Sequence, residues 1–189
     1  MTSSDLTLLP ADAKARAAAR VGRSIDGSAG GSGGGDDPVA GTGVRVALAC
    51  AEFNGGISHR LLVGALDALD AAGLDADSVT VAWVPGAFEL PLVARQLARS
   101  GSVDAVVCFG AVIRGDTGHY DFVTGECARG LQQVQLDTGV PVIFGVLTTD
   151  TVDQALERSE DDASNKGREA ALTAIEMVRI LAAIPGAGG

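Results

Sequence analysis

Few side chains in this chain can carry chemistry, and they fall in a few places. His119 comes first. An imidazole both takes and gives a proton near neutral pH, and this one closes the run Gly115-Asp116-Thr117-Gly118-His119. A histidine in a loop after a strand fits a proton carrier as well as it fits a surface residue. The run itself precedes a helix, so free backbone N–H groups and the Thr117 hydroxyl suit an anion there; an ordinary capped glycine turn would have the same composition. Arg158 and Lys166 bracket Ser-Glu-Asp-Asp-Ala-Ser-Asn. Two such cations could hold an anion through charge-assisted hydrogen bonds. On composition alone, though, the stretch reads as a solvated loop that caps the last helix through Ser164 or Asn165. His59 lies within a helical run and reads as a solvated helix residue. The three cysteines, Cys50, Cys108 and Cys127, form no C-x-x-C pair and are accompanied by only two histidines, so no metal site is expected. No G-x-G-x-x-G follows the first strand, which leaves a dinucleotide site unsupported.

The elements that must position these groups are legible from apolar patterning. Residues 44–51, 79–84, 104–109 (extending toward 113) and 140–147 are short apolar runs. Helical spacing covers 57–72, 88–98, 121–137, 151–158 and 165–183. The strands are continuous apolar runs rather than alternating ones, which marks parallel strands covered on both faces. The pattern predicts an α/β fold: a three-layer α/β/α sandwich on a four-stranded parallel sheet, wound right-handedly and flavodoxin-like. In such sheets ligands bind beyond the carboxyl ends of the strands. Those ends are followed by Glu52-Phe53-Asn54-Gly55-Gly56, by Pro85-Gly86-Ala87-Phe88-Glu89-Leu90-Pro91, by residues 110–120 and by Thr148-Thr149-Asp150. A ring, a carboxylate, a histidine and several glycines should converge on one edge, the inventory of an orienting pocket with an acid–base group.

Composition sets the outer limits. The 189 residues favour one domain. The formal net charge is −10; the first 43 residues hold four bases and five acids, the rest ten bases and nineteen acids. An acidic body argues against nucleic acid as a partner. No apolar run is long enough to span a bilayer, and no signal-peptide core is present. The run Lys14-Ala-Arg16-Ala-Ala-Ala-Arg20 is basic and Ala-rich like part of a transit peptide, but Asp5 and Asp12 oppose that reading. Sparse, unpaired cysteines suit a reducing compartment, so a cytoplasmic location is expected. Residues 22–43 are dominated by glycine and read as a flexible linker, preceded by a short helix over 10–23. The division expected is a flexible Gly-rich extension over 1–43 and a catalytic domain over 44–189.

Taken together, five strings resemble the lumazine synthase family in order and spacing: Phe53-Asn54; the run Pro85 to Pro91; Gly110-Ala111-Val112-Ile113-Arg114-Gly115-Asp116-Thr117-Gly118-His119-Tyr120-Asp121-Phe122-Val123; Phe144-Gly145-Val146-Leu147-Thr148; and Asn165-Lys166-Gly167. The resemblance covers about residues 44–181 without an insertion or deletion. It implies a transferase of riboflavin biosynthesis that condenses 5-amino-6-(D-ribitylamino)uracil with 3,4-dihydroxy-2-butanone 4-phosphate. The product would be 6,7-dimethyl-8-ribityllumazine, with phosphate and water released through a Schiff base, elimination and ring closure. No cofactor is implied.

Residue roles follow from the same resemblance. Phe53 would stack on the pyrimidine. Ala87, Phe88 and Glu89 would hold the ribityl chain and uracil, and Ala111, Val112 and Ile113 the uracil edge. Asp116 (through its backbone) and Thr117 would bind phosphate, and His119 would move protons. From an adjacent subunit, Phe144 would close the ring pocket and Arg158 would bind phosphate, with Lys166 near by. The resemblance thus implies a homo-oligomer, a pentamer or an icosahedral sixty-subunit shell, with riboflavin synthase a possible partner. The absence of extra residues between the last two helices resembles the shell-forming type. Competing readings are a non-catalytic shell or carrier and an unrelated flavodoxin-like binding module; retention of Phe53, His119 and Arg158 together favours the enzyme. Two departures stand out. Gly118 occupies a position where the family often has proline or another residue, which should loosen the loop holding His119. Glu160, Asp161 and Asp162 place acid between Arg158 and Lys166, which should oppose phosphate.

Overall fold

The computed structural model describes residues 7–25 and 43–185. Helix α1 (Ala13–Ala18) and strand β1 (Arg23–Ile25) come first. Then β2 (Val46–Ala51), α2 (Gly55–Ala71), β3 (Val79–Val84), α3 (Leu90–Arg99), β4 (Ala105–Ile113), α4 (His119–Thr138), β5 (Val142–Thr149), α5 (Val152–Glu157) and α6 (Lys166–Ala183) alternate. All strand pairs are parallel, and the sheet order is β1-β3-β2-β4-β5. The chain therefore winds from β2 outward to β3, crosses back to β4, and continues to β5. Right-handed crossovers then require α2 on one face and α3 and α4 on the other. The packing agrees: α2 lies against α6, and α3 against α4.

The buried strands explain the continuous apolar runs. Val46, Leu48 and Cys50 point into the core under α2 and α6, while Ala47, Ala49 and Ala51 point into the core under α3 and α4. Alternation along β2 is thus present in space but invisible in hydropathy, because both faces are covered. Burying a Leu48 or a Phe109 side chain fully contributes roughly 2 kcal/mol each. On the α2–α6 face the two helices approach unusually closely. A Cβ on Gly167 would stand 1.9 Å from the Leu61 carbonyl oxygen, and one on Gly64 would stand 2.4 Å from Asn165 Oδ1. Glycine at both places lets α6 rest directly on the α2 backbone.

Three expectations change. The sheet has five strands rather than four, because Arg23–Ile25 pairs with Thr80–Ala82 at the β3 edge. That strand is three residues long with only Ile25 strongly apolar, so it left no periodic signal. Residues 23–25 of the expected linker are therefore part of the sheet, and residues 26–42 of it lie outside the described residues. Finally, α4 starts at His119, two residues earlier than its apolar spacing indicated, which moves His119 from a loop into the first turn of a helix.

Candidate active site

The carboxyl ends of β2, β3 and β4 build one group of the expected residues. Parallel pairing continues past the strands themselves: Glu52 N–H donates to Val84 O (2.8 Å) and Phe53 N–H to Pro85 O (3.0 Å). This fixes the backbone at Phe53 while leaving its ring 72% exposed. Asn54 turns the chain into α2 with φ 54 and ψ 35, the left-handed region. Asparagine tolerates this better than most residues. Its Nδ2 donates to Ala111 O at 2.9 Å, so the loop after β2 is tied across to the end of β4. Ala87, Phe88 and Glu89 form a single 3₁₀ turn after β3. Ala87 is buried against the sheet while Phe88 and Glu89 face outward. Ala111 is buried and Val112 and Ile113 half-buried at the end of β4. The structure therefore gathers Phe53, the 87–89 turn and Ala111 to Ile113 on one edge.

Asp116, Thr117 and His119 continue that edge and are all exposed. Among the described residues no side chain caps α4 at Gly118; Asp121 N–H turns back to Gly118 O (3.2 Å), and the N–H groups of His119 and Tyr120 stand at a helix end where an anion is favoured. Gly118 has φ −64, a value that proline itself would hold; the glycine therefore does not alter the backbone path into His119. Among the described residues the His119 imidazole makes no hydrogen bond. Its placement instead comes from Arg114, a neighbour to which sequence reasoning gave no role. Arg114 N–H donates to Thr149 O (2.9 Å). Its guanidinium binds Asp150 (2.9 Å) and Asp121 (3.3 Å) and lies 4.0 Å over the Tyr120 ring. One side chain thus clips the first turn of α4 to the end of β5.

Phe144, Arg158 and Lys166 lie elsewhere. They line a cleft of about 420 Å³ along β5, walled on the other side by Glu169, Ala170 and Thr173 of α6. That volume suits a small ligand. Among the described residues β5 is an edge strand, with no strand paired to its outer side. Register sets Phe144 back from the loop edge: it lies opposite Cys108, five residues before the Ile113–Thr149 pair, or about 16 Å along the strand, while the other end of the cleft reaches Thr148 and Thr149. Within one chain, Phe144 does not reach the ring of Phe53.

The cations of the cleft are held by a residue that sequence reasoning had considered only as a cap. Asn165 is 2% exposed. Its Oδ1 accepts from Gly167 N–H (2.8 Å) and Arg168 N–H (3.3 Å), and its Nδ2 donates to Glu160 O (2.8 Å) and Arg60 O (3.4 Å). Lys166 N–H in turn donates to Arg158 O (2.9 Å). Arg158 Nη1 donates to Gln154 O (2.8 Å), and Lys166 pairs with Glu169. Glu160, Asp161 and Asp162 do not line the cleft. Asp162 is engaged by the Ser164 N–H and hydroxyl, which hold its carboxyl below the usual range. The acid that does face the cleft is Glu169, one helical turn from Lys166, a spacing that could have flagged it.

The remaining candidates are quiet. Burial raises the Cys50 and Cys108 thiols well above their ordinary range and pushes Cys127 up to about 11, so none is a ready thiolate. His59 is half-buried rather than solvated; burial and then Arg16 lower its pKa, partly offset by Asp12. Among the described residues no group of three metal-ligating side chains converges, and no helix is long and apolar enough to cross a membrane.

Comparison with known proteins matches the sequence to a family. The family profile described as 6,7-dimethyl-8-ribityllumazine synthase matches residues 43–182. A 6,7-dimethyl-8-ribityllumazine synthase of Edwardsiella ictaluri (strain 93-146) is 56% identical over 147 residues, covering 77% of this chain and 94% of the relative. With the parallel sheet and its loop edge, these matches show that the chain belongs to the 6,7-dimethyl-8-ribityllumazine synthase family, transferases of riboflavin biosynthesis.

Proposed function

We propose that the reaction runs at a composite site, with the loop edge of one copy facing the β5 cleft of a neighbour. The observation that carries this is the separation of two rings on one chain: Phe53, with the proton carrier, on the loop edge, and Phe144 about 16 Å back along the sheet in a cleft that also holds both cations. Exposed aromatic rings support it. Of five phenylalanines, only Phe109 lies in the core, while Phe53, Phe88, Phe122 and Phe144 are exposed. Large apolar groups left in solvent mark ligand or partner surfaces. Because the two half-sites are unlike, the contact between copies is head-to-tail, and such contacts form a ring when the rotation between copies closes. A pentamer is the ring that the family resemblance supports, and a sixty-subunit shell its higher assembly, in the cytoplasm and with riboflavin synthase as a partner. Residues 44–189 are the catalytic domain in this reading and residues 1–43 an extension.

The chemistry follows from the residues. Phe53 and the neighbour's Phe144 would sandwich the pyrimidine of 5-amino-6-(D-ribitylamino)uracil. The 87–89 turn and residues 111–113 would orient its ribityl chain and uracil edge. The 5-amino group attacks the ketone of 3,4-dihydroxy-2-butanone 4-phosphate and water leaves as the imine forms. Phosphate then departs, and attack by the ribitylated nitrogen closes the ring with loss of a second water. His119 would carry protons between the amine and the leaving oxygens. The α4 N-terminus with Thr117, and Arg158 and Lys166 across the interface, would bind the phosphate. Rate comes mainly from holding two substrates together.

The test is complementation. His119→Ala and Arg158→Ala are each expected to lose lumazine formation, but for different halves of the site. Co-assembled at equal amounts, they should regain about a quarter of wild-type sites, since a competent site needs one intact half from each of two neighbours. Recovery of nothing from an assembled mixture would confine the site to one chain. A folded wild type that forms no lumazine would leave the shell or carrier reading.

A further inference from the structure

Residues 7–25 precede the stretch that the family profile matches, yet they are built into the fold next to Phe53. Gly22 N–H donates to Ala76 O at 2.6 Å, and Arg20 binds Asp67 at 2.7 Å on α2. Ala13 and Ala17 of α1 are buried. Two contacts fall on either side of Phe53-Asn54. Lys14 Nζ donates to Glu52 Oε1 at 2.8 Å, with both side chains only about one-third exposed (30% and 37%). Leu9 Cβ lies 2.6 Å from where a Cβ on Gly55 would stand, so Leu9 rests on the α2 backbone at its first residue. The Lys14 ammonium also lies 6.0 Å from the centroid of the Trp83 ring. Trp83 is the chain's only tryptophan. It is 6% exposed, and its Nε1 has no hydrogen-bond partner among the described residues.

We propose that the N-terminal segment is a fixed part of the active site: Lys14 and Leu9 are positioning residues that clamp the Phe53 turn from both ends and so set affinity for the aromatic ring of the pyrimidine substrate. This rests on the reading of Phe53 as the stacking ring. Strand hydrogen bonds fix the backbone at residues 52 and 53, and side chains add to the rigidity of the turn where it runs on into Gly55-Gly56. Here residues 52 and 55 are each held by a side chain from the extension, while residue 54 is held by Ala111. Preorganising a stacking platform improves binding of the flat substrate without new contacts to it. The cations Arg158 and Lys166 stand at the end of α5 and the start of α6 and bond to residues of those elements rather than to the segment, so the effect should be confined to one substrate.

The experiment uses full-length Lys14→Met, Lys14→Arg and Leu9→Ala. Affinity for 5-amino-6-(D-ribitylamino)uracil alone is measured by calorimetry, so the result does not depend on turnover; KM for each substrate and the Trp83 emission maximum are measured beside it. Lys14→Met and Leu9→Ala should each weaken ribitylaminouracil binding by roughly threefold to fivefold, the size of a partly exposed pair, and together by about tenfold. Lys14→Arg should restore binding, KM for the phosphorylated ketone should stay unchanged, and Trp83 emission should move to the red. Equal rises in both KM values, or a lowered melting point with unchanged ribitylaminouracil affinity, would reduce the segment to simple packing. Unshifted Trp83 emission in the double variant would remove the segment from this position in solution. Wild-type protein that binds ribitylaminouracil and responds to these variants but forms no lumazine would overturn the activity and leave the clamp standing.

Discussion

The two proposed half-sites are made in opposite ways. The loop edge is mostly backbone: strand ladders run on into Glu52 and Phe53, one asparagine bridges to Ala111, and the 87–89 turn follows from the end of β3. The β5 cleft is mostly side chain. Arg158 and Lys166 sit eight residues apart on a loop whose shape depends on one buried asparagine and on two glycines that let α6 lie on α2. A backbone-built site is robust to substitution of most side chains. A site built on a helix–helix joint fails when the joint is moved, even if every cation remains.

That contrast makes Gly167→Ala the most disruptive single change. Its Cβ would have to pass within 1.9 Å of Leu61 O, a backbone atom that cannot step aside alone. Overpacking of this kind costs about 3 kcal/mol or more, which in a chain of this size lowers Tm by roughly 10 °C. In the surviving folded fraction, KM for the phosphorylated ketone should rise while ribitylaminouracil affinity changes little. Calorimetric melting and separate KM determinations check both. An equal loss on both substrates would mean that the two half-sites are not mechanically separate.

Arg158→Ala should come next, through function rather than stability. Losing charge-assisted hydrogen bonds to a phosphate costs about 2–3 kcal/mol, or roughly 100-fold in kcat/KM, with Tm within a degree or so of wild type because the side chain is exposed. Arg158→Lys should recover only part of the loss, since a point charge replaces a planar fork. A full recovery by lysine would show that only net charge matters at this cleft.

The same contrast decides what could be read from sequence. The loop edge was legible because parallel strands covered on both faces leave uninterrupted apolar runs, and the glycine, proline and polar residues that end them mark the loops at the carboxyl edge of the sheet. The cleft was not. Arg158 and Lys166 looked like a solvated loop, because nothing local says that this loop folds against the outer strand of the sheet; only the family resemblance singled them out. β1 was missed for the opposite reason: Arg23-Ser24-Ile25 is too short to carry a period, and its partner, β3, is more than fifty residues away in the chain. The role of Arg114 was hidden because its two carboxylate partners, Asp121 and Asp150, come from different elements and meet only once β4 and β5 are in register.

Within the loop edge, Asn54 separates backbone conformation from hydrogen bonding. Asn54→Gly keeps the left-handed turn and loses only the bond to Ala111 O, about 1 kcal/mol. Asn54→Ala loses the bond and adds about 1 kcal/mol of backbone strain at φ 54. Ribitylaminouracil binding should therefore weaken in the order wild type, glycine, alanine, read by calorimetry, with KM for the phosphorylated ketone unchanged. If glycine and alanine behave alike, the bond to Ala111 rather than the turn sets the ring position.

The smallest effect should come from a pair remote from both half-sites, at the amino end of the sheet. Arg45 binds Asp104 at 2.8 Å, and its backbone N–H donates to the same carboxylate. Burial pushes the Asp104 carboxyl up, but the Arg45 side-chain bond, the backbone bond and the Arg45 charge together hold it below its usual value. A carboxyl depressed in the folded state stabilises fully above its unfolded pKa, and that contribution disappears as pH falls through the folded value. The pair is partly exposed, so the contribution is under about 1 kcal/mol. Asp104→Asn should lower Tm by a few degrees at pH 7, and the gap to wild type should close on acidification below the ordinary aspartate range. Neither KM should move. A shift in either one would mean that the amino end of the sheet communicates with the site, and that β2 and β4 do not hold their loops as the rigid rods that the backbone-built half-site requires.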